Sequence, residues 1–199
     1  MDTKLTGKTR IESDLIGARE IPAEALYGVQ TLRGIENFSI SKFRLSEYPL
    51  FIKGLAITKM AAAMANFELG LLTVEQKDAI IAACGEILDG KHHDQFPVDM
   101  IQGGAGTTTN MNANEVIANR ALELMGHERG EYQYCSPNDH VNCSQSTNDA
   151  YPTAIHIGMY FKHLQLLPHL EELIASFRKK GEEFSQIIKM GRTQLEDAV

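Results

Sequence analysis

The chain has 199 residues, of which 43% are hydrophobic and 23% charged, a balance that is ordinary for a globular protein with a substantial core. Its formal net charge of −7 argues against a nucleic-acid partner, because such partners select basic surfaces. No apolar run approaches the roughly 20 residues that a bilayer-spanning helix needs, so we expect no membrane segment.

The N-terminal residues and the cysteine content bear on the cellular compartment of the protein. Residues Met1 to Gly7 lack the apolar core of a signal peptide. Cys84, Cys135 and Cys143 are an odd number of cysteines, and none of them forms a C-x-x-C pair. Free thiols are typical of reducing compartments, so we expect a cytoplasmic protein.

The first part of the chain, residues 10–40, is predicted to form extended segments and turns. Pro22 and Gly28 punctuate it, and the stretch from Thr31 to Asn37 is predicted as one short helix. Arg33 in that helix is a candidate anion ligand, although a solvated surface arginine is the commoner case.

Two amphipathic helices follow, from Leu50 to Leu69 and from Thr73 to Asp89. Their apolar residues recur at steps of three and four, which is the helical period. Thr73 and Gln76 have the spacing of a capping box at the start of the second helix. Cys84 lies in its apolar stripe, where we expect a buried and unreactive thiol.

A loop after these helices contains the adjacent histidines His92 and His93, beside Asp94. Neighbouring histidines do not readily converge on one metal ion, and no third ligand stands at a suitable spacing. We therefore predict that the chain holds no metal ion and no cofactor.

A glycine-rich loop runs from Gln102 to Asn110 and leads into a helix predicted from Met111 to Met125. Glycines allow the backbone to approach a ligand closely. The loop lacks the Gly-Lys-Ser/Thr ending of a phosphate loop and the pattern of a dinucleotide-binding loop. It is predicted to deliver the hydroxyl of Thr107 and its neighbours to a helix start, and a plain connecting loop is the alternative.

The stretch from Asn138 to Asp149 consists almost entirely of hydroxyl, amide and carboxylate side chains. Such residues collect in turns and at helix starts, and Pro152 suits a first helical turn. Ser146, Thr147 and Asn148 are therefore predicted at a helix N-terminus, where free N–H groups and the helix dipole favour an anion. An ordinary N-cap is the alternative interpretation.

The helix that starts there is predicted from Pro152 to Lys189, a length of more than about 50 Å at the usual rise per residue. Its apolar residues keep the helical period throughout, which is typical of a bundle or a coiled coil. Pro168 should kink it or remove one hydrogen bond. The residues before it are too few to cover its apolar stripe, so we expect it to pack on other subunits or on further chain.

The polar turns could act together. If Thr107, Ser146, Thr147, Asn148 and Thr193 converge, they form a pocket rich in neutral donors and poor in bases. Such a pocket suits a small carboxylate ligand. It also suits a reaction that builds negative charge on a carboxylate, because fixed donors stabilise a transition state where the charge develops.

These motifs, taken in order, resemble the fumarase/aspartase superfamily over nearly the whole chain. The segments that carry the resemblance are Arg10–Gly17, Tyr27–Phe38, Gly103–Thr107 with Asn110–Val116, Ser144–Asp149 and Gly191–Leu195. The resemblance implies a mainly α fold: a small N-terminal, mostly helical domain with short extended segments over residues 1–144, and the start of a central long-helix bundle over residues 145–199. It also implies a homotetramer in which three subunits share each pocket.

Within the superfamily, the chain is more similar to the aspartases than to the fumarases. Fumarases usually have Ser-Gly-Thr where this chain has Ala105-Gly106-Thr107, and Ser-Ser-Asn where it has Ser146-Thr147-Asn148. They also carry histidine at the positions of Ser136 and Gln194, although some aspartases share the second histidine. The resemblance thus implies reversible deamination of L-aspartate to fumarate and ammonia through an aci-carboxylate intermediate.

The resemblance also assigns roles to side chains. Those holding the β-carboxylate of the substrate would be Thr107, Ser146 and Thr147. Asn148 would hold the amino group, Thr193 would meet the α-carboxylate, and Gln194 would lie beside the amino group. The serine base and a substrate-binding lysine belong to a mobile loop that is absent here, so no catalytic base is assigned and the chain alone is expected to lack lyase activity.

Two alternatives stay open at this stage. A fumarate hydratase would share the fold and the intermediate, with water as the leaving group. A non-catalytic helical assembly module would use the polar turns only as helix caps.

Overall fold

A computed structural model describes residues 7–188 together with residues 191, 192, 194, 195, 197 and 198. The fold is mainly helical with short extended segments, which confirms the predicted fold class. Its helices are α1 (Val29–Asn37), α2 (Pro49–Glu68), α3 (Val74–Leu88), α4 (Thr107–Leu124) and α5 (Thr147–Phe184). Short 3₁₀ turns occupy Leu45–Glu47 and His93–Gln95, and a π-helical turn occupies Pro137–Val141.

An antiparallel hairpin opens the described chain, with β1 (Thr9–Asp14) paired to β2 (Gly17–Pro22). Arg33 of α1 holds this hairpin: its guanidinium donates to both carboxylate oxygens of Asp14 at 2.8 Å and to the Gly17 carbonyl at 2.8 Å. The pairing lowers the pKa of Asp14 to about 2. Arg33 is therefore a structural anchor of the hairpin, and its suggested role as an anion ligand stays a prediction.

The core lies between α2, α3 and α4, with α3 packed against both of the others. Its fully buried side chains include Ile52, Leu55, Ile80, Ile87, Ile117 and Leu122. By length and mean hydropathy (1.3), α2 could cross a membrane, contrary to the sequence-based expectation. Its contacts with α3 instead make it a core helix, because its apolar face is covered by protein.

The predicted start of α3 is confirmed in detail. The Thr73 hydroxyl accepts a hydrogen bond from the Gln76 amide at 3.2 Å, and the Gln76 side chain accepts one from the Thr73 amide at 3.1 Å. Cys84 on the same helix is completely buried. The predicted burial of Cys84 is thereby confirmed, and burial raises the pKa of its thiol to about 12, which keeps the thiol neutral at physiological pH.

Helices α4 and α5 both begin earlier than predicted, at Thr107 rather than Met111 and at Thr147 rather than Pro152. Threonine and asparagine are weak helix formers, so the sequence pattern placed these residues in the preceding loops. In the structure their hydroxyls lie in the first helical turns. Helix α5 continues through Pro168 and ends at Phe184.

The chain divides into two compact units, residues 1–159 and residues 160–199, with the division inside α5. The first turns of α5 belong to the first unit because they pack tightly on α2. A Cβ atom on Gly54 would overlap the Ala154 carbonyl, and one on Gly158 would lie 3.1 Å from the backbone of Leu50. The domain boundary predicted between residues 144 and 145 falls before this packed segment.

The second unit contains the rest of α5 and two short antiparallel strands, β3 (Gly191–Arg192) and β4 (Asp197–Ala198). Large apolar side chains of this part of α5 are exposed to solvent, namely Tyr160, Leu164, Leu166, Leu173, Ile174 and Phe177.

Candidate active site

The N-termini of α4 and α5 touch each other. Gly106, the residue before α4, has a φ of +86° and lies against the ring of Tyr151 in α5, so that a Cβ atom here would overlap the ring. Glycine meets both requirements, because it adopts the left-handed backbone conformation without strain and has no side chain to overlap the ring. The contact sets Thr107, the first residue of α4, close to the start of α5.

A hydrogen bond joins the same two helix starts. The Asn110 side-chain amide donates to the Thr147 hydroxyl at 3.2 Å and to the side-chain oxygen of Asn142 at 3.0 Å. The first turn of α4 is thereby connected to the first residue of α5 and to the turn before it. The N-terminal ends of two helices, where each helix dipole is positive, therefore lie next to each other, and such an arrangement favours a bound anion.

The glycine loop before α4 is closed by Gln102. Its side-chain amide donates to the Thr109 hydroxyl at 2.7 Å, and its side-chain oxygen accepts from the Thr109 amide at 2.8 Å. These two bonds cap α4 from outside the helix and fix the ends of the loop. Residues 103–105 between them are exposed, so the loop borders solvent in front of Thr107.

Ser146 is the N-cap of α5. Its hydroxyl accepts a hydrogen bond from the Asn148 amide at 3.1 Å, and its own amide donates to the Asp149 carboxylate at 2.9 Å. The cap geometry uses one lone pair of the hydroxyl and leaves its proton available to a ligand. Capping and ligand binding are therefore compatible at this residue.

The predicted ligand-binding side chains of the first unit can be reached from solvent. Thr107, Ser146 and Asn148 are exposed, and Thr147 is partly exposed. Gln194 is also exposed, and it belongs to the second unit. Thr193 lies outside the described residues.

Behind the turn that leads into α5 lies a buried lysine. The Lys59 ammonium donates to the side-chain oxygens of Asn142 at 2.8 Å and Gln145 at 3.0 Å. Burial lowers the pKa of Lys59 to about 7, and the negative charge of Asp149 opposes that shift. In its protonated form, Lys59 places a positive charge behind a helix start that already favours anions.

Sequence reasoning missed Lys59, and it also missed Asn66, whose side-chain amide donates to the Cys143 carbonyl at 2.8 Å. Both residues are almost completely buried on α2. One signal was available in the sequence. Each residue is polar and lies on the apolar face of α2, although the opposite face could have accommodated a polar side chain. Lysine in a helix is more often exposed, which is why the signal was overlooked.

The paired histidines contact neighbours on the chain rather than each other. His92 lies 2.9 Å from the Glu86 carboxylate, and a ring nitrogen of His93 lies 2.9 Å from the Ile87 carbonyl. Across the part of the chain that the structure describes, no cluster of three or more His, Cys, Asp or Glu side chains has metal-binding geometry.

Comparison with known proteins identifies the family of the chain. The sequence model of a family described as lyase matches residues 17–199. Because the match covers most of the chain, the chain belongs to this lyase family. The resemblance to the fumarase/aspartase superfamily is thereby confirmed.

Curated relatives of the chain include aspartate ammonia-lyases. The chain is 60% identical over 190 residues to the enzyme of that name from Pseudomonas canavaninivorans, covering 96% of this chain and 40% of the relative. It is 57% identical over 196 residues to that of Escherichia coli strain K12, covering 98% of this chain and 41% of the relative. The chain therefore spans about 40% of the length of the curated relatives it matches.

Solved structures agree with the sequence matches. A fumarate lyase:delta crystallin from Brucella melitensis bound to cobalt superposes with a TM-score of 0.91 at 54% identity, over 96% of this chain and 42% of that one. A class II fumarase from Schistosoma mansoni superposes with a TM-score of 0.87 at 39% identity, over 96% and 40%. The sequence is thus more similar to the first of these structures than to the fumarase.

Proposed function

We propose that the full-length protein containing this chain is an aspartate ammonia-lyase, which interconverts L-aspartate with fumarate and ammonia. The observation that carries the proposal is the contact between the starts of α4 and α5, which brings the exposed hydroxyl-bearing residues Thr107 and Ser146 to two neighbouring helix N-termini. The names of relatives at 57% to 60% identity support the choice of substrate.

The proposed chemistry begins with removal of a proton from the carbon next to the β-carboxylate. The electron pair moves onto that carboxylate and forms an aci-carboxylate dianion, which then expels ammonia from the neighbouring carbon. Thr107, Ser146 and Thr147 would donate hydrogen bonds to the β-carboxylate as its charge grows. Donors that are already in position need no reorganisation during the reaction, and each contributes roughly 10²- to 10³-fold to the rate.

The remaining contacts follow from the family resemblance. Asn148 would hold the amino group, Thr193 would meet the α-carboxylate, and Gln194 would lie beside the amino group. The base that removes the proton would come from chain beyond these 199 residues. The 199-residue chain by itself would then be inactive, because it would supply substrate-binding side chains without a base.

The assembly proposed for the full-length protein is a cytoplasmic homotetramer with no nucleic-acid or membrane partner. The exposed apolar side chains of α5 beyond residue 159 support association, because such a continuous apolar stripe is normally covered in a stable protein. The free thiols of Cys84, Cys135 and Cys143 support a reducing compartment.

Substrate assays on the purified full-length protein test the proposal. Fumarate formation is followed from L-aspartate and, separately, from L-malate. An ammonia-lyase forms fumarate from aspartate and not from malate. Turnover of malate alone would identify a fumarate hydratase, and turnover of neither would contradict both reactions and favour a non-catalytic assembly module. The 199-residue chain is assayed beside it, and measurable turnover there would refute the proposal that the base lies elsewhere.

A further inference from the structure

The turn that leads into α5 is held from behind by α2. Lys59 and Asn66 occupy positions i and i+7 of α2, which lie on one face of a helix. The Lys59 ammonium donates to the side-chain oxygens of Asn142 and Gln145, and Asn66 donates to the backbone carbonyl of Cys143. Two side chains of one helix therefore bind three residues of the turn.

Lys59 is an unusual choice for this position if its purpose is stability. It is completely buried, yet its hydrogen-bond partners are neutral amide oxygens rather than a carboxylate. The ionisable groups that face it are Asp149 of α5 and Cys84 of α3, and the Cys84 thiol stays neutral because burial raises its pKa. A buried charge without a direct ion pair is poorly stabilised, and an apolar side chain of similar length would fit at lower cost.

The turn from Asn142 to Gln145 needs a hydrogen-bond donor at its centre. The Asn142 side-chain amide donates to the Gln145 carbonyl at 3.1 Å, and the Gln145 side-chain amide donates to the carbonyls of Val141 and Cys143. Both side-chain oxygens therefore point toward Lys59. Between them Ser144 adopts a φ of +56°, a conformation that serine rarely takes without outside support.

These contacts lead directly to the candidate ligand-binding residues. Gln145 immediately precedes Ser146, and Asn142 shares its side-chain oxygen between Lys59 and Asn110, which also donates to the Thr147 hydroxyl. A shift of the turn would therefore move the two hydroxyls relative to Thr107. A displacement of about 1 Å in such a site can reduce a rate by roughly 10²-fold.

We propose that Lys59, assisted by Asn66, is a positioning residue that fixes the turn from Asn142 to Gln145 so that Ser146 and Thr147 stand in register with Thr107. The proposal rests on the lyase function proposed above, and it concerns a residue that contacts no substrate atom.

The test compares two substitutions of the same kind on one helix, in the full-length protein. Lys59→Met removes the buried ammonium, and Lys53→Met removes a partly exposed one from α2 as a matched control. We expect Lys59→Met to lower kcat for L-aspartate by about 10²-fold with a smaller change in KM, because misplaced donors affect the transition state most. Lys53→Met should leave both constants near the wild-type values.

A double-mutant cycle separates positioning from a general loss of stability. If Lys59 acts through Asn142, then Asn142→Ala alone lowers kcat, and adding Lys59→Met to it lowers kcat little further. If the fold-reduction in kcat of the double variant equals the product of the reductions in the two single variants, the two residues act independently and the proposal is overturned. Should Lys59→Met fail to fold, Asn142→Ala beside Lys53→Met provides the test: unchanged kcat in Asn142→Ala would overturn the proposal.

Hydrogen exchange provides a readout that does not depend on turnover. The amides of Gln145, Ser146 and Asn148 are hydrogen-bonded within the turn and its cap, and we expect them to exchange at least about tenfold faster in Lys59→Met than in Lys53→Met. Equal exchange would overturn the positioning role even in an enzyme with another substrate. Absence of turnover in the wild-type protein would count against the lyase function alone.

Discussion

Replacing Ser146 by alanine separates the two roles that its hydroxyl can have. As an N-cap, the hydroxyl accepts one hydrogen bond from the Asn148 amide at 3.1 Å, and loss of such a cap typically costs about 1 kcal/mol of stability. As a donor to the developing aci-carboxylate, it would contribute roughly 10²- to 10³-fold to kcat, or about 2.7–4 kcal/mol of transition-state stabilisation. The two roles therefore predict different observables.

Thr73 provides the matched control, because its hydroxyl likewise caps a helix start, that of α3, and it is not among the candidate ligand-binding residues. Its hydroxyl accepts from the Gln76 amide at 3.2 Å. In the full-length protein, Ser146→Ala and Thr73→Ala should each lower the free energy of unfolding by about 1 kcal/mol. Only Ser146→Ala should lower kcat for L-aspartate, measured by the formation of fumarate.

The result that would refute this reasoning is a Ser146→Ala enzyme with kcat within about twofold of the wild type and a stability loss equal to that of Thr73→Ala. Ser146 would then be a helix cap and nothing more. The non-catalytic interpretation of the polar turn would gain support, whatever the relatives of the chain catalyse.

Two further predictions concern a packing contact and an ion pair of the first unit. Gly106→Ala should destabilise the protein by about 3 kcal/mol and reduce turnover, because its methyl group would overlap Tyr151. Its control, Gly126→Ala, has similar backbone strain (φ +83°) in open space and should cost about 1 kcal/mol. Glu86→Gln should lose about 2 kcal/mol of stability at neutral pH, because Arg120 lowers the pKa of Glu86 to about 2.

The measurements for these variants are direct. Equal losses in Gly106→Ala and Gly126→Ala, measured by urea unfolding, would show that the contact with Tyr151 is unimportant. For Glu86 the folded pKa lies below the ordinary value of 4.5, so its stabilising contribution is present above that pH and is lost as the pH falls toward 2. The stability difference between wild type and Glu86→Gln should shrink over that interval, and a constant difference would contradict the ion pair.

Local signals in the sequence were sufficient for much of the fold. The cap of α3 and the apolar faces of α2 and α3 depend on residues close together in the chain, so pattern and spacing predicted them. The starts of α4 and α5 depend on a contact between Gly106 and Tyr151, which are distant in sequence. Local propensity could not have indicated a contact between residues so far apart in the chain.

Buried charges were the other feature that local reasoning could not reach. Glu115 of α4 accepts hydrogen bonds from the amides of Gly28, Gln30 and Thr31 at the start of α1, at 2.8 to 3.0 Å. From sequence alone, a glutamate or a lysine in a helix is normally predicted to be a surface residue, and this applies to both Glu115 and Lys59. Their burial is determined by partners elsewhere in the chain, which only the three-dimensional structure identifies. The roles of the site residues in binding substrate remain predictions.

A crystal structure of the full-length protein with bound fumarate tests the central claim most directly. We predict that one carboxylate lies at the contact between α4 and α5, about 2.7–3.0 Å from the hydroxyl oxygens of Thr107, Ser146 and Thr147. A dicarboxylate bound at another place, with these hydroxyls facing only solvent, would contradict the claim.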